Sequence, residues 1–545
     1  MRKRATPALV ILFAALAALL AWPLLRAYAT GDDFVYLALG PQLDNPLPLL
    51  LQDSTASYFF RPVVMLVWWV TSAITRDPAV HYAINIGLHA LNGFLMVALL
   101  RRLGITAVPS VLAGVVFVAH TTAVAAASWL SVRFDVMSLG FGLAALIALH
   151  ARRPVALAVL TLACVLSKET GYAIAGTAFL AALWRARESD RRSAITMAAI
   201  VGACIVAGLA FRFLVLRSAV VATFLPAGTL ATLWAGFQNW WGELGGYLVV
   251  SQDPRSVPWL WMAAITALAA MLLVPSVWPA LRDRQLARTL LIGISIAAMA
   301  GIAQGPVANV TDMRPFEYGA AFDFRPVTVS RLYYIPLAGL CIAAAALGDA
   351  IARSPLNAWA KRAVVAAMVI AAVGLAAQSR YVGRQVAAFT RATGPVFLDA
   401  ALDVVRPRTS AAPGCKIYFL DTGERGLYFR MFLQPALMQA LPREHAATRC
   451  FFLSEHAPWY NLMQADGLPE NPQLPLKTMT VGGQPFPPLR LGNLIYYFLV
   501  IPDDPSVTAD PAATFFAWKD NRFVDVTPEV RSRQRVVRFI NNRAE

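Results

Sequence analysis

The succession of long apolar runs constrains this chain more than any other feature. A run of roughly 17 to 25 apolar residues is long enough to cross the hydrocarbon core of a bilayer as a helix. We expect about eleven such spans, near residues 7–26, 80–100, 107–125, 129–149, 154–167, 170–185, 194–216, 257–280, 288–305, 332–351 and 361–378. The loops between them test the assignment. Arg101-Arg102, Arg152-Arg153, the run from Arg185 to Arg192, the run from Arg282 to Arg288, and Arg353 with Lys361-Arg362 fall on alternate turns. They share one side with Arg2, Lys3 and Arg4, and the positive-inside rule makes that side cytoplasmic. The expected fold class is therefore a polytopic α-helical membrane protein.

Composition enters as a check. The chain is 58% hydrophobic and 14% charged, where a soluble domain carries roughly 25% charged residues. Its formal net charge of +16 does not imply nucleic acid, because many of the basic residues lie in short loops where they set topology. The bilayer is the partner that this pattern requires. Arg26-Ala27-Tyr28-Ala29 loosely imitates a signal-cleavage site, but the preceding run is longer than a signal core and Arg26 interrupts the site, so the first helix is expected to be retained. Cys164, Cys204 and Cys341 lie within apolar runs and form neither a disulfide framework nor a metal-spaced set. Cys415 and Cys450 stand outside; an oxidising compartment would permit a disulfide between them, and two isolated thiols fit equally.

The same topology puts the connections richest in unusual residues outside. Segment 27–79 carries Asp32, Asp33 and the stretch PVVMLVWWVTSAIT, which with Trp68 and Trp69 suits a helix lying at the membrane interface. Segment 218–256, with Trp234, Trp240, Trp241 and Tyr247, has a similar character. Both are expected to roof a cavity at the outer leaflet. Past about residue 380 hydrophobicity falls, and KIYFLDT, RCFFLSE, LIYYFLVIP and TFFAWKDNRFVDV read as strands of a small α/β domain. The expected division is 1–380 for the membrane domain and 381–545 for an α/β domain on the outer, periplasmic side.

Polar residues within or at the edge of spans are functional candidates by default. Here they gather on the outer side. His81, Asn85 and His89 repeat every four residues along one helix face. His120 follows, then Arg133 with Asp135 on one outer turn, Lys168 with Glu169 on the next, and Arg331 with Tyr333 at the start of a later span. A structural reading stands beside each. The histidine and asparagine stripe can be helix-to-helix hydrogen bonding, Arg133 with Asp135 or Lys168 with Glu169 can be an ion pair, Arg61 before Pro62 can anchor to lipid phosphate, and Asp33 can cap a short helix.

In this order, an acidic pair, FRPV, H-x-x-x-N-x-x-x-H, HTTAV, RFD, SKE and RLYYIP, the chain resembles the GT-C superfamily of membrane glycosyltransferases. It is most similar to the protein O-mannosyltransferase-like branch that includes the cadherin-targeting transmembrane mannosyltransferases and their bacterial relatives. The resemblance covers about residues 1–380. It departs at Phe60 before Arg61, at the short His120-Thr121-Thr122 run and at Val132 before Arg133, and no repeat with a period of about 34 residues follows residue 380.

What the resemblance implies is an inverting transferase at the outer leaflet of a bacterial inner membrane. The donor sugar would be carried on a polyprenyl phosphate or pyrophosphate, and an acceptor hydroxyl would attack the anomeric carbon. Such a reaction needs a carboxylate base and fixed positive charge for the leaving phosphate. Asp32 is the expected base, since GDDFVY resembles the D-E-x-x-Y start of lipid-A aminoarabinose transferases with Tyr36 at the matching distance, and Asp33 is its expected helper. Arg61, His81, Arg133, Lys168 and Arg331 are the candidates for the phosphate, with Tyr36, Asn85, His89, His120, Asp135, Glu169 and Tyr333 completing the expected substrate-binding set. The chain contains no phosphate-binding loop, dinucleotide fingerprint or H-E-x-x-H pattern, so neither a cofactor nor a protein-held metal is expected, and a divalent cation between Asp32 and a donor pyrophosphate is the one variant of this scheme. A transporter or lipid flippase is the competing class; it would place its polar groups near the midplane on broken helices.

Overall fold

The computed structural model describes residues 5–51, 60–188, 191–216, 229–248, 278–308, 313–315, 322–408, 415–421, 436–437, 440, 450–454, 460–465, 477–478, 480–481, 484–485, 489–491, 494–500, 508–535 and 537. Helices occupy every expected apolar run within these residues: α1 (Ala5–Leu24), α5 (Pro78–Arg102), α6 (Ala107–Ala119) with α7 (Thr121–Ala127), α8 (Arg133–His150), α9 (Pro154–Val165), α10 (Gly171–Glu188), α11 (Arg191–Leu216), α14 (Arg284–Ala308), α15 (Arg325–Arg353) and α16 (Ala358–Val405). The run expected at 257–280 lies outside the described residues except for its last three, and so do Arg2, Lys3 and Arg4. Between the spans lie α2 (Asp33–Gln42), α3 (Leu47–Leu51), α4 (Pro62–Ile74), α12 (Thr229–Leu248) and α13 (Trp278–Leu281).

Among the described residues, six segments are long and apolar enough to cross a membrane: Pro78–Arg102, Leu130–His150, Arg191–Arg212, Arg284–Gly305, Arg325–Arg353 and Ala358–Val405. Helices α6 and α7 form a further pair, bent by 53°. Apolar side chains face outward on these helices, with Val206 and Val373 each 65% exposed, a surface that water would not tolerate and lipid requires. The chain is a polytopic α-helical membrane protein.

Local chemistry explains where the helices begin and turn. Pro62 and Pro154 open α4 and α9 at the first helical position, where a missing N–H costs nothing and φ is already helical. Between α6 and α7, His120 adopts an extended backbone (φ −68°, ψ 129°), and its ring Nδ1 accepts from Thr122 N at 3.2 Å, capping the new helix.

The chain divides into two compact units. The first holds residues Met1–Arg26, Ala79–Phe211 and Ala227–Ala387; the second holds Ala27–Pro78, Arg212–Pro226 and Ala388–Glu545. In the first, α15 is central, packing on α14, α6 and α7. Helices α14 and α15 cross where neither has a side chain: a Cβ on Gly339 would stand 2.5 Å from Gly293 O and 2.7 Å from Ala297 N. Small residues at a crossing let membrane helices meet backbone to backbone.

In the second unit, α4 packs on α2, and its buried face reads Val64, Trp68, Ser72 at a spacing of four. Ser72 Oγ accepts from Gly40 N at 2.8 Å and donates to Trp68 O at 2.7 Å. Trp68, expected at the membrane interface, is instead fully buried, while Trp69 is half-buried and donates to Leu43 O at 2.9 Å. The aromatic segment around α12 divides in the same way. Trp234 and Trp241 are exposed, whereas Trp240 and Tyr247 sit in a core with Met313, Leu332 and Tyr333.

The four sequences expected as strands all form strands: β1 (Cys415–Leu420), β2 (Cys450–Ser454), β8 (Leu494–Val500), and the pair β9 (Ala513–Lys519) and β10 (Arg522–Asp525). One sheet has the order β10-β9-β1-β2, with β1 parallel to both β2 and β9 and β10 antiparallel. The β9–β10 turn is Asp520-Asn521, both at positive φ (50° and 59°), as the tightest hairpins require. Cys415 and Cys450 are register partners across β1 and β2. A second sheet joins β3 (Tyr460–Ala465), β4 (Lys477–Thr478) and β7 (Leu489–Leu491) to β8 in antiparallel register, and β5 (Thr480–Val481) pairs with β6 (Gln484–Pro485). The drop in hydrophobicity near residue 380 is not a break in the backbone, since α16 continues to Val405 and lays Phe397 on Trp518 with ring centroids 4.3 Å apart.

Candidate functional site

The acidic pair lies in the second unit at the start of α2, and its two members are placed differently. Gly31, at φ +59°, turns the chain so that Asp33, the first helical residue, reaches back and accepts from Thr30 N at 3.1 Å. Asp33 is fully buried and holds the turn. Asp32 occupies the cap position, but its side chain makes no capping hydrogen bond, and it is half-buried. One helical turn on, the ring of Tyr36 stacks on Trp68 at 5.3 Å. Arg61 is the residue before α4 and is half-buried.

In the first unit, the starts of α5, α8, α10 and α15 meet at one end. Arg133, buried to 0% exposure, is the centre of that end. Its Nε donates to Asn85 Oδ1 at 2.8 Å, and its Nη2 lies 3.1 Å from His81 Nδ1 and 3.3 Å from His81 O. A guanidinium can only donate, so Nδ1 of His81 is the acceptor and a neutral ring carries its proton on Nε2. Asn85 in turn donates from Nδ2 to Leu130 O at 3.0 Å, pinning the short 3-10 turn Leu130–Val132 that delivers Arg133. Two residues further on, Asp135 points elsewhere and takes Lys168 Nζ at 2.5 and 2.6 Å on its two oxygens. Lys168 comes from the turn before α10, where its carbonyl accepts from Gly171 N at 2.9 Å. Glu169 beside it is half-buried. Arg331, half-exposed on α15, lays its guanidinium over Trp129 at 4.9 Å from the ring centroid.

These contacts bring His81, Asn85, Arg133, Asp135, Lys168 and Arg331 around the 128–133 turn. Three expected members lie apart from them. His89 is buried with both ring nitrogens engaged, Nδ1 with Tyr334 Oη at 2.9 Å and Nε2 with Val118 O at 3.1 Å. His120 caps α7 and lies with Nε2 3.2 Å from Leu248 O. Tyr333 stacks on Tyr247 at 4.2 Å and donates to Trp240 O at 3.0 Å. Tyr334, not Tyr333, meets the histidine stripe, and Asn92 completes that network by donating to Tyr334 Oη at 3.1 Å and to Val136 O at 2.8 Å. Asn92 was readable, since it continues the 81-85-89 face at a spacing of three. Among the described residues no group of three His, Cys, Asp or Glu side chains converges as a metal site would.

No family model matches the chain, and no curated protein matches it. Among solved structures the chain is similar to ArnT from Cupriavidus metallidurans bound to undecaprenyl phosphate, at 13% identity and a TM-score of 0.42, covering 90% of this chain and 97% of that one. It is also similar to the Archaeoglobus fulgidus oligosaccharyltransferase tethered with an acceptor peptide, at 13% identity and a TM-score of 0.41, covering 82% of this chain and 64% of that one. Both are distant likenesses.

Proposed function

We propose that this chain is an inverting membrane glycosyltransferase of GT-C type that moves a sugar from a polyprenyl-phosphate-linked donor to an acceptor hydroxyl at the outer leaflet of a bacterial inner membrane, with a hexose as the sugar and the mannosyltransferase-like branch as the nearest kin. The observation that carries the reading is the buried polar end of the helical unit, where His81, Asn85 and Arg133 meet and Lys168 pairs with Asp135. A bilayer-embedded protein that keeps Arg133, Lys168 and Arg331 at one end, two of them buried, sustains a desolvation penalty that packing alone does not explain.

In the proposed reaction the acceptor oxygen bonds to the anomeric carbon as the bond from that carbon to the phosphate oxygen breaks. Asp32 takes the acceptor proton, and the phosphate leaves as an anion that Arg331, Lys168 and Arg133 are suited to stabilise. Arg has the fork geometry for two phosphate oxygens at once. Asp32 is half-buried, whereas Asp33 is fully buried and holds the turn by accepting from Thr30 N, and this difference in exposure supports Asp32 as the base.

The test is Asp32→Asn at matched expression, with consumption of a lipid-linked sugar donor as the readout. The amide keeps the shape of the carboxylate and cannot take a proton, so turnover should fall by about 10² to 10⁴ while the protein remains folded and inserted. Asp33→Asn should lose stability before it loses transfer. Wild-type turnover in Asp32→Asn would sink the reading, and movement of the lipid across vesicles without sugar transfer would establish the transporter in its place.

A further inference from the structure

One cavity in the helical unit lies away from the polar end. It is an apolar groove of about 330 Å³ between α6, α15 and α16, at the end that carries the basic loops. Its walls recede because the lining positions are small: Ala107, Ala113, Ala344, Ala345, Gly348 and Ala352. The groove follows from how α16 is attached. Ser379 Oγ donates to Ala119 O at 2.7 Å and ties α16 to the end of α6. Lys361 Nζ donates to Ala352 O at 2.8 Å and ties the start of α16 to the end of α15. Between these two ties the helices stand apart.

The mouth has a defined chemistry. Lys361 lines it, and Trp359 beside it is 79% exposed with Arg362 over its ring at 5.8 Å. An exposed tryptophan with flanking basic residues marks the headgroup level of a bilayer. An ammonium has three donors and Ala352 O takes one, so Lys361 can also meet a phosphate at that level. Basic positions between membrane helices are where anionic headgroups bind.

We infer that this groove holds one acyl chain of an anionic phospholipid from the leaflet on the basic-loop side, with its phosphate at Lys361. The inference rests on the membrane-spanning reading and is independent of the sugar-transfer reading. It is tested by native mass spectrometry of the full chain in detergent, titrated separately with phosphatidylglycerol and with phosphatidylcholine of the same acyl chains. One phosphatidylglycerol should remain bound under conditions that strip phosphatidylcholine. Lys361→Gln should weaken retention of phosphatidylglycerol roughly fivefold and leave phosphatidylcholine unchanged, and Ala344→Leu, which fills the groove, should reduce both. Equal retention of the two lipids, or variants that behave as wild type, overturns the inference. Displacement by polyprenyl phosphate, lost in the same two variants, would assign the groove to a prenyl chain and overturn it as well.

Discussion

Both ends of the helical unit carry arginines and histidines, and they use them differently. At the end that carries the basic loops, side chains reach backbone carbonyls, Arg101 to Ile105 O, Arg185 to Leu149 O, Arg353 to Gly104 O and His150 Nδ1 to Leu146 O, and the partly exposed Arg353 also pairs with Asp349 at 2.7 Å and Asp283 at 3.4 Å. These basic residues lie in the last turns of α5, α8, α10 and α15, where they complement the helix dipole. At the opposite end, side chains turn to one another: Arg133 to Asn85 and His81, Lys168 to Asp135, all of them buried. The first arrangement finishes helices and sets topology. The second holds charge in a low-dielectric place at a penalty of several kcal/mol per ion, which makes it the end to test for chemistry.

The largest effect should come from breaking the buried ion pair. Lys168→Met leaves the Asp135 carboxylate buried without its cation and should destabilise the protein by about 3 to 5 kcal/mol, whereas Arg185→Met at the opposite end should lose about 1 kcal/mol. Thermal unfolding of the two detergent-solubilised variants compares them directly, and equal losses would erase the distinction between the ends. The double variant Asp135→Leu with Lys168→Met sharpens it further. Replacing both partners should restore stability and should not restore transfer.

A smaller effect is expected at Arg331, which is half-exposed over Trp129. Loss of one charge-assisted contact made in the transition state is worth roughly 1.5 to 3 kcal/mol, or about tenfold to a hundredfold in rate. Arg331→Ala should show this loss, and Arg331→Lys should retain part of the rate because it keeps the charge without the fork. Unchanged kinetics in the alanine variant would remove Arg331 from the site.

Tyr334 tests the region between the ends. Tyr334→Phe takes away the partner of both His89 and Asn92 and should cost about 1 to 3 kcal/mol of stability with transfer unaffected at a permissive temperature. Reduced transfer in a fully folded Tyr334→Phe protein would extend the site into the middle of the spans.

The smallest effect lies in the second unit. Burial raises the Asp510 carboxyl, and hydrogen bonds from Lys416 Nζ and Ala512 N together with the Lys416 charge outweigh it, so the group titrates below its ordinary 3.8. A depressed carboxylate contributes stability above its unfolded pKa and loses it as the pH falls through the lower folded value. Acid titration of near-ultraviolet circular dichroism should show this loss in the wild type and a flatter profile in Asp510→Asn.

The apolar runs and the alternation of basic loops were legible because each depends on residues adjacent in the chain. So were the strands past residue 415, although TFFAWKDNRFVDV, read as one strand, folds as two joined at Asp520-Asn521. The polar stripe of α5 was legible as a stripe, but which of its members would meet Arg133 was not. His81 and Asn85 do, while His89 turns to Tyr334, because partners from α6, α8 and α15 decide what each level of the stripe faces.

By itself the sequence determined that this chain forms apolar helices with basic ends and a strand-rich C-terminal region, since hydrophobic length, period and turn chemistry are local. Only the tertiary structure decided between neighbours of the same kind: Asp33 rather than Asp32 for the turn at Thr30, Tyr334 rather than Tyr333 for His89, Trp68 rather than Trp69 for the interior. Adjacent residues on a helix point about 100° apart, and which of the two faces inward is set by what packs against the helix, a contact made by residues far away in the chain.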